Sequence, residues 1–98
     1  MINIKNDMTD SLFKAILTLE TVDECYKFFE DVCTVKEIKA IAQRLEVARM
    51  LKNKQLYSKI VSDTGASTAT ISRVNRSLMY GSEGYDIVFS RLEDEENK

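Results

Sequence analysis

The sequence predicts an all-α fold of about six helices. Its 98 residues include no proline and only three glycines, a composition that favours helix and disfavours a turn-rich β fold. Apolar residues also recur at spacings of three and four along most of the chain, as they do on one face of a helix. At this length we expect one domain over residues 1–98.

The first two helices are predicted from apolar stripes and one start signal. They cover about residues 9–19 and 22–32. Thr21 and Glu24 have the spacing of a capping box, in which the threonine hydroxyl and the glutamate carboxylate each accept from a backbone N–H at the helix start. The residues expected to face inward are Leu12, Phe13, Ile16 and Leu17 in the first helix, and Val22, Cys25, Tyr26, Phe29 and Val32 in the second.

The aromatic content of this region exceeds what the core of a small single chain needs. The residues concerned are Phe13, Tyr26, Phe28 and Phe29. Each side chain taken alone is expected in the core of its own chain, whereas the excess predicts a contact between two copies. Both interpretations remain open here.

The two cysteines predict reduced thiols. Cys25 and Cys33 lie eight residues apart on one predicted helix. That spacing separates them by roughly 12 Å, which is too far for a disulfide. We expect both thiols to be buried in a reducing cytoplasm.

The remaining helices follow from start and stop signals. Thr34 and Glu37 form a second capping box, which opens a third helix over about residues 34–52. Two shorter helices are expected at 57–64 and 68–77. Ser82 is the expected cap of a last helix over 82–93, and residues 94–98 are expected to form a frayed acidic tail.

The segment from Tyr57 to Arg76 is the most informative part of the chain. Gly65 breaks the pattern between its two helices, since glycine readily takes the positive φ that a sharp turn requires. Ser67 is a good N-cap for the second helix, whose apolar residues Ile71 and Val74 lie three apart. This layout is typical of a helix-turn-helix, although a plain surface hairpin of helices would look similar.

The outward side of this motif carries residues suited to the DNA major groove. Small side chains at the start of the second helix let the backbone approach base edges, and arginines reach guanine or phosphate. The candidate DNA-binding residues are Ser67, Thr68, Ala69, Thr70, Ser72, Arg73, Arg76 and Lys59. Arg73 and residues 67–72 are expected to read bases, whereas Arg76, Lys59 and Arg44 are weaker candidates for phosphate contacts.

The charge distribution supports the same prediction. The net charge of the chain is −2, which by itself suggests no nucleic-acid partner. However, residues 34–80 contain nine Lys or Arg against three Asp or Glu, whereas both flanking segments are acidic. A basic segment that contains the candidate DNA-reading helix is the electrostatic pattern expected for contacts to phosphates, although ordinary surface charge is the alternative.

Enzyme, metal and membrane functions find little support. The chain has no histidine, and its two cysteines lack zinc-site spacing. There is no phosphate-binding glycine loop, no secretory leader and no apolar run long enough to cross a membrane. We therefore expect no enzyme activity, no catalytic residues and no metal.

The run from Thr34 to Leu78 resembles the Trp repressor superfamily and looks closest to its YerC/YecD-type branch of small bacterial proteins. The resemblance is carried by residues 34–37, 40–51 and 64–66 and above all by the ATISR run at 69–73. It implies an intertwined homodimer that binds operator-like DNA, with residues 1–52 forming the core and dimerisation helices.

The same resemblance implies an effector pocket. The matching residues are Arg44, Thr70, Arg73 and Ser77, with Thr34 contributed by the partner chain. This chain has Val74 where the repressor has a small glycine, and the valine would fill space that a flat indole needs. Val74 also suits a core role. We therefore expect no cofactor and disfavour tryptophan as the ligand, while another effector stays open.

The resulting hypothesis is a cytoplasmic transcriptional regulator that binds double-stranded DNA as a homodimer. Repression is the expected mode. The alternative is a protein–protein interaction module that reuses the helix-turn-helix. An RNA-binding module is disfavoured, because the basic segment offers only Tyr57 and Tyr80 as aromatic stacking groups.

Overall fold

The computed structural model describes residues 3–97, and over that range it contains helices and no strand. The six described helices are α1 (Asp7–Ile16), α2 (Val22–Val32), α3 (Val35–Lys52), α4 (Tyr57–Thr64), α5 (Thr68–Tyr80) and α6 (Gly84–Glu96). The all-α prediction is therefore confirmed. The chain divides into two compact units, with the division after Ile38, and a single domain over 1–98 stays a prediction.

Helix α1 begins two residues earlier than predicted because Asn6 caps it. The side-chain oxygen of Asn6 accepts from the backbone N–H of Thr9 at 2.8 Å, which satisfies one of the unpaired donors of the first turn. The helix ends at Ile16, before the predicted end, and the Thr18 hydroxyl then donates to the Ala15 carbonyl at 2.6 Å. Asparagine at position 6 was a readable start signal.

Helix α2 starts where the capping box predicts, but one of the two bonds of the box has a different partner. The Glu24 N–H donates to the Thr21 hydroxyl oxygen at 3.1 Å. The Glu24 carboxylate accepts instead from the N–H of Glu20 at 2.8 Å, one residue before the cap. Both bonds tie the chain before α2 to its first turn.

The apolar stripes of α1 and α2 lie largely in solvent, since neither helix has a buried residue. Tyr26 is 62% exposed and Phe13 is 50% exposed, so the core interpretation is wrong for these two aromatic residues in the single chain. Phe28 and Phe29 are half-buried and pack edge to face, with ring centroids 5.4 Å apart.

The cysteines depart from prediction in the same way. Both are free, as expected, but Cys25 is exposed and Cys33 is only partly buried. The prediction of buried thiols is wrong because the α2 face that carries Cys25 is not covered within its own unit.

The second unit contains the apolar core. The end of α3 belongs to this core, because Val47, Ala48 and Met50 are buried. Ile41 and Leu45, earlier on the same helix, are exposed. The buried cluster consists of Val47, Ala48, Met50, Ile60, Ala66, Ile71, Val74 and Phe89. Helices α3 to α6 all contribute to it, which places the candidate helix-turn-helix around this core.

The C-terminal part differs from the predicted boundaries. Helix α5 continues to Tyr80 and stops at Gly81, where an added Cβ atom would clash with the Ser77 carbonyl oxygen. Ser82 does not cap α6; the residue before this helix is Glu83, which has a left-handed φ of 68° and makes no side-chain cap bond. Residues 94–96, expected to fray, continue the helix, and Glu95 and Glu96 are strong helix formers. Lys98 lies outside the described residues.

Candidate nucleic-acid interface

The turn between α4 and α5 has the geometry that a helix-turn-helix requires. Gly65 has φ 72° and ψ 5°, and its N–H donates to the Val61 carbonyl at 2.9 Å, which closes the end of α4. The Ala66 N–H then donates to the Thr64 hydroxyl oxygen at 3.1 Å. At the opposite end, α4 begins after Leu56 with no side-chain cap bond, because leucine has no side-chain oxygen to accept one.

The inner side of the motif is apolar and buried. Ile60 of α4, Ala66 of the turn, and Ile71 and Val74 of α5 belong to the one buried cluster, together with Phe89. Because Ile71 and Val74 lie three apart, they place the core on one side of α5 and leave the opposite side to solvent. Val74 therefore has the core role.

The outer side of α5 presents the predicted reading residues. Thr68, Ala69, Ser72, Arg73 and Arg76 are exposed, and Thr70 is half-buried. The cap residue Ser67 is also exposed, but its hydroxyl accepts from the Thr70 N–H at 3.1 Å and donates to the Thr70 hydroxyl oxygen at 3.0 Å. Ser67 and Thr70 thus already bond each other, which leaves the other five side chains as the more accessible candidates.

Ion pairing divides the basic side chains of residues 34–80 into two groups. Arg49 binds Glu46 through two guanidinium nitrogens, and this carboxylate raises the pKa of Arg49. Lys52 pairs with Asp86 at 3.2 Å. By contrast, Arg44, Arg73 and Arg76 form no ion pair with any residue in the range 3–97. Both arginines of α5 therefore belong to the uncompensated group.

Lys59 belongs to the compensated group. Its ammonium lies 3.2 Å from the Asp63 carboxylate, one helical turn along α4. The spacing of four residues was a readable signal for this pair. Both side chains are about half exposed, so the pair contributes little stability, but it reduces the positive charge that Lys59 offers to a phosphate.

All three acidic residues of the basic segment are engaged locally. Asp63 and Glu46 form the ion pairs just described, and Glu37 completes the capping box of α3. The Thr34 N–H donates to the Glu37 carboxylate at 2.8 Å, and the Glu37 N–H donates to the Thr34 hydroxyl oxygen at 3.1 Å. The Thr34 backbone N–H, and to a smaller extent the Thr34 hydroxyl, hold the pKa of the Glu37 carboxyl below its ordinary value.

The predicted effector residues are not joined by hydrogen bonds in the described chain. Arg44, Arg73 and Ser77 are exposed, and Thr70 is half-buried. Thr34 lies in the first unit and serves as the α3 cap. The effector pocket stays a prediction.

The described residues form a groove in each unit. The groove of the first unit has a volume of about 260 Å³ and is apolar, with the lining residues Val22, Cys25, Tyr26, Phe29 and Ile38. The groove of the second unit, of about 280 Å³, lies between the end of α3 and α6 and is lined by Arg49, Lys52 and Glu93 among others. Neither groove includes a predicted effector residue.

One polar contact of the motif was missed by sequence reasoning. The side-chain amide of Gln43 on α3 donates to the Thr64 carbonyl oxygen at 3.1 Å. These residues are 21 positions apart, and no local pattern connects them.

Other kinds of site find no support among the described residues. Within residues 3–97 there is no group of three or more His, Cys, Asp or Glu side chains placed to bind a metal. None of the described helices combines the length and the apolar character that crossing a bilayer demands.

Comparison with known proteins agrees with this geometry. Residues 7–93 match the family model described as Trp repressor protein. The uncharacterised protein YerC of Bacillus subtilis (strain 168) is 53% identical over 89 residues, covering 91% of this chain and 86% of YerC.

Two solved structures extend the agreement to three dimensions. A candidate Trp repressor from Staphylococcus aureus superposes with a TM-score of 0.89 at 50% identity, covering 92% of this chain and 90% of the other. A TrpR-like protein from Eubacterium eligens ATCC 27750 has the same TM-score at 58% identity, covering 92% and 93%. Such a family indicates a DNA-binding regulator rather than an enzyme. With a family match over most of its length, the chain belongs to the Trp repressor family.

Proposed function

We propose that this protein is a sequence-specific DNA-binding transcriptional regulator, and specifically a repressor, that acts as a homodimer through the helix-turn-helix of α4 and α5. The observation that carries the proposal is the division of α5 into two sides. Ile71 and Val74 are buried in the core, while Arg73 and Arg76 are exposed and free of ion pairs within residues 3–97.

The dimensions of α5 suit the major groove. Its 13 residues extend over roughly 20 Å, and a groove about 12 Å wide admits a helix. Thr68, Ala69 and Ser72 are short, so the helix backbone can lie close to base edges. Arg73, one turn further on, reaches deeper and suits a bidentate contact with guanine.

The charge pattern supports phosphate contacts around this helix. The acidic groups of residues 34–80 are bonded to local partners, whereas Arg44 and Arg76 are not paired in the described chain. Neutralising phosphates releases counterions, so the affinity should fall steeply with salt concentration.

The exposed apolar surface of α1 and α2 supports a homodimer. Val22, Tyr26 and Val32 of α2 are all more than half exposed, and Leu17 is 82% exposed. Exposed apolar side chains in this number are typical of an interaction site, and a second copy of the chain is the occupant we propose. Two-fold symmetry would present two α5 helices to half-sites about 34 Å apart.

The direct test is selection of bound duplexes from a random pool at two salt concentrations. We expect an enriched, near-palindromic site whose affinity drops steeply at the higher salt concentration. A pool without enrichment, or binding that ignores salt, would contradict the proposal. Binding of a protein partner to this chain would instead support an interaction module, if the affinity changed neither with salt concentration nor in the Arg73→Ala variant.

The dimer has its own test in sedimentation equilibrium. We expect the wild-type mass to be that of two chains and Tyr26→Asp to shift it to one, because the substitution would bury an unpaired carboxylate in the interface. Tyr80→Asp is the matched control, since Tyr80 is 79% exposed and lies at the end of α5. A monomeric wild type, or equal effects of both variants, would contradict the proposed interface.

Tryptophan remains disfavoured as an effector in this proposal, and calorimetric titration tests it. Micromolar binding would show that expectation wrong.

The proposed site of action is the cytoplasm, in keeping with a DNA-binding regulator that carries two free cysteines.

A further inference from the structure

We propose that Gln43 is a positioning residue for DNA reading: it fixes the orientation of the turn that aims α5 at the bases. This inference rests on the proposed function. It concerns a side chain on α3, outside the residues expected to touch DNA.

The geometry connects α3 directly to the end of α4. The Gln43 side-chain nitrogen lies 3.1 Å from the Thr64 carbonyl oxygen, in a partly buried setting. The orientation of the amide is determined by chemistry, since a carbonyl oxygen accepts only from the NH₂ end. Thr64 ends α4, so its carbonyl is one of the four that the helix itself leaves unpaired.

Thr64 is also where the turn is organised. Its hydroxyl donates to the Ile60 carbonyl at 2.7 Å and accepts from the Ala66 N–H at 3.1 Å. Ser67, the cap of α5, follows three residues after Thr64. A displacement of the Thr64 carbonyl is therefore passed to the start of α5 through a very short connection.

The apolar core alone determines the orientation of the turn between α4 and α5 only loosely. Ile60, Ala66 and Ile71 hold the two helices together, but apolar contact is not directional and tolerates small changes in angle. A hydrogen bond depends steeply on distance and angle. The bond from Gln43 therefore selects one orientation of the turn among those that the core permits.

This role predicts a loss of specificity rather than of all binding. Base contacts require close alignment of α5 with the groove, whereas contacts to phosphates through long cationic side chains tolerate misalignment. The relevant quantity is the ratio of dissociation constants for a scrambled duplex and for the selected duplex at one salt concentration.

The test uses three variants of the full chain. Gln43→Met keeps the length and helix propensity but donates no hydrogen bond, Gln43→Lys keeps a donor, and Gln43→Glu is only an acceptor at neutral pH. From the net contribution of one hydrogen bond, the Met variant is expected to lose about two- to ten-fold in the specificity ratio. We expect the Lys variant to retain most of the wild-type specificity ratio, and the Glu variant to have a lower ratio than the Met variant.

Gln55→Met is the matched control. It makes the same chemical change at the only other glutamine, whose side chain has no hydrogen bond among the described contacts. We expect its specificity ratio to equal that of the wild type. Amide exchange of Ala66, measured without DNA, should be faster in Gln43→Met and unchanged in Gln55→Met.

The outcomes separate this inference from the proposed function. If the wild type selects a DNA site but Gln43→Met keeps the full ratio, the inference is overturned and the regulator function stands. Equal losses for the Met and Lys variants would also overturn it, because they would reveal a packing role. If the wild type selects no site, both proposals fall together.

Discussion

Replacing Arg73 with alanine tests whether α5 reads bases. The guanidinium is exposed and has no ion pair in the described chain, so its removal leaves the core intact. We expect the free energy of unfolding to change by no more than about 0.5 kcal/mol. A bidentate contact between arginine and guanine contributes about 1–3 kcal/mol of discrimination, which corresponds to about 5- to 150-fold at each half-site.

Arg76→Ala is the companion variant, since Arg76 lies on the same helix, is equally unpaired and is expected to contact phosphate. Fluorescence anisotropy titrations would use the selected duplex and single-base changes of it, at several salt concentrations. For Arg73→Ala we expect relaxed preference at one base position per half-site and little change in the salt slope. For Arg76→Ala we expect uniform weakening and a salt slope reduced by about 0.9 for each lost contact.

The opposite pattern would refute the assignment. Uniform weakening with a smaller salt slope for Arg73→Ala would make Arg73 a phosphate contact. Unchanged binding by both variants would remove α5 from the interface altogether.

Three further predictions concern stability. Ile71→Ala should lower the free energy of unfolding by about 2–5 kcal/mol and Ile71→Val by about 0.5–1.5 kcal/mol, because Ile71 is fully buried; urea titration measures both, and a small Ala effect would contradict the proposed core. Gly65→Ala should cost about 1–2 kcal/mol from its left-handed φ alone, since nothing lies within 4 Å of the added Cβ. Gly84→Ala, with equal space and no positive φ, should stabilise by about 0.4–1 kcal/mol, and similar thermal midpoints for the two glycine variants would count against this reasoning. The bonds from Thr34 lower the pKa of Glu37, so the stability that they contribute is present above the ordinary pKa of 4.5 and is lost as the pH falls through the lowered pKa. An NMR titration that gives Glu37 a pKa at or above 4.5 would refute this prediction.

The elements that were predicted best depend on short-range chemistry. The turn at Gly65 was readable because the positive φ is cheap only for glycine, and the structure has φ 72° there. The cap at Ser67 and the box of Thr34 and Glu37 were readable because each satisfies backbone groups within three residues. Helix α4 was accordingly predicted with its observed bounds.

The candidate reading surface was partly predictable. The spacing of Ile71 and Val74 determined which side of α5 is buried, and therefore that Arg73 and Arg76 are exposed. The pairing of Lys59 was present in the sequence as a four-residue spacing and was overlooked. The contacts of these residues with DNA and with an effector stay predictions.

The start of α6 shows where local signals fail. Ser82 is the better cap by preference, yet the helix begins after Glu83, which takes a left-handed conformation. Tyr85 and Phe89 of α6 stack at 6.1 Å, and Phe89 is buried in the core. Packing of this kind overrides a cap preference of about 1 kcal/mol.

The sequence by itself determined that six helices form, where the turn between α4 and α5 lies and which side of α5 faces solvent, because these depend mainly on interactions within a few residues. The start of α6 does not follow from such interactions. Only the tertiary structure decided that the Tyr26 face of α2 is left uncovered and that Gln43 reaches Thr64. Both depend on which distant segments meet. Neither apolar periodicity nor capping chemistry contains that information, since they describe how a helix is built and not what lies against it.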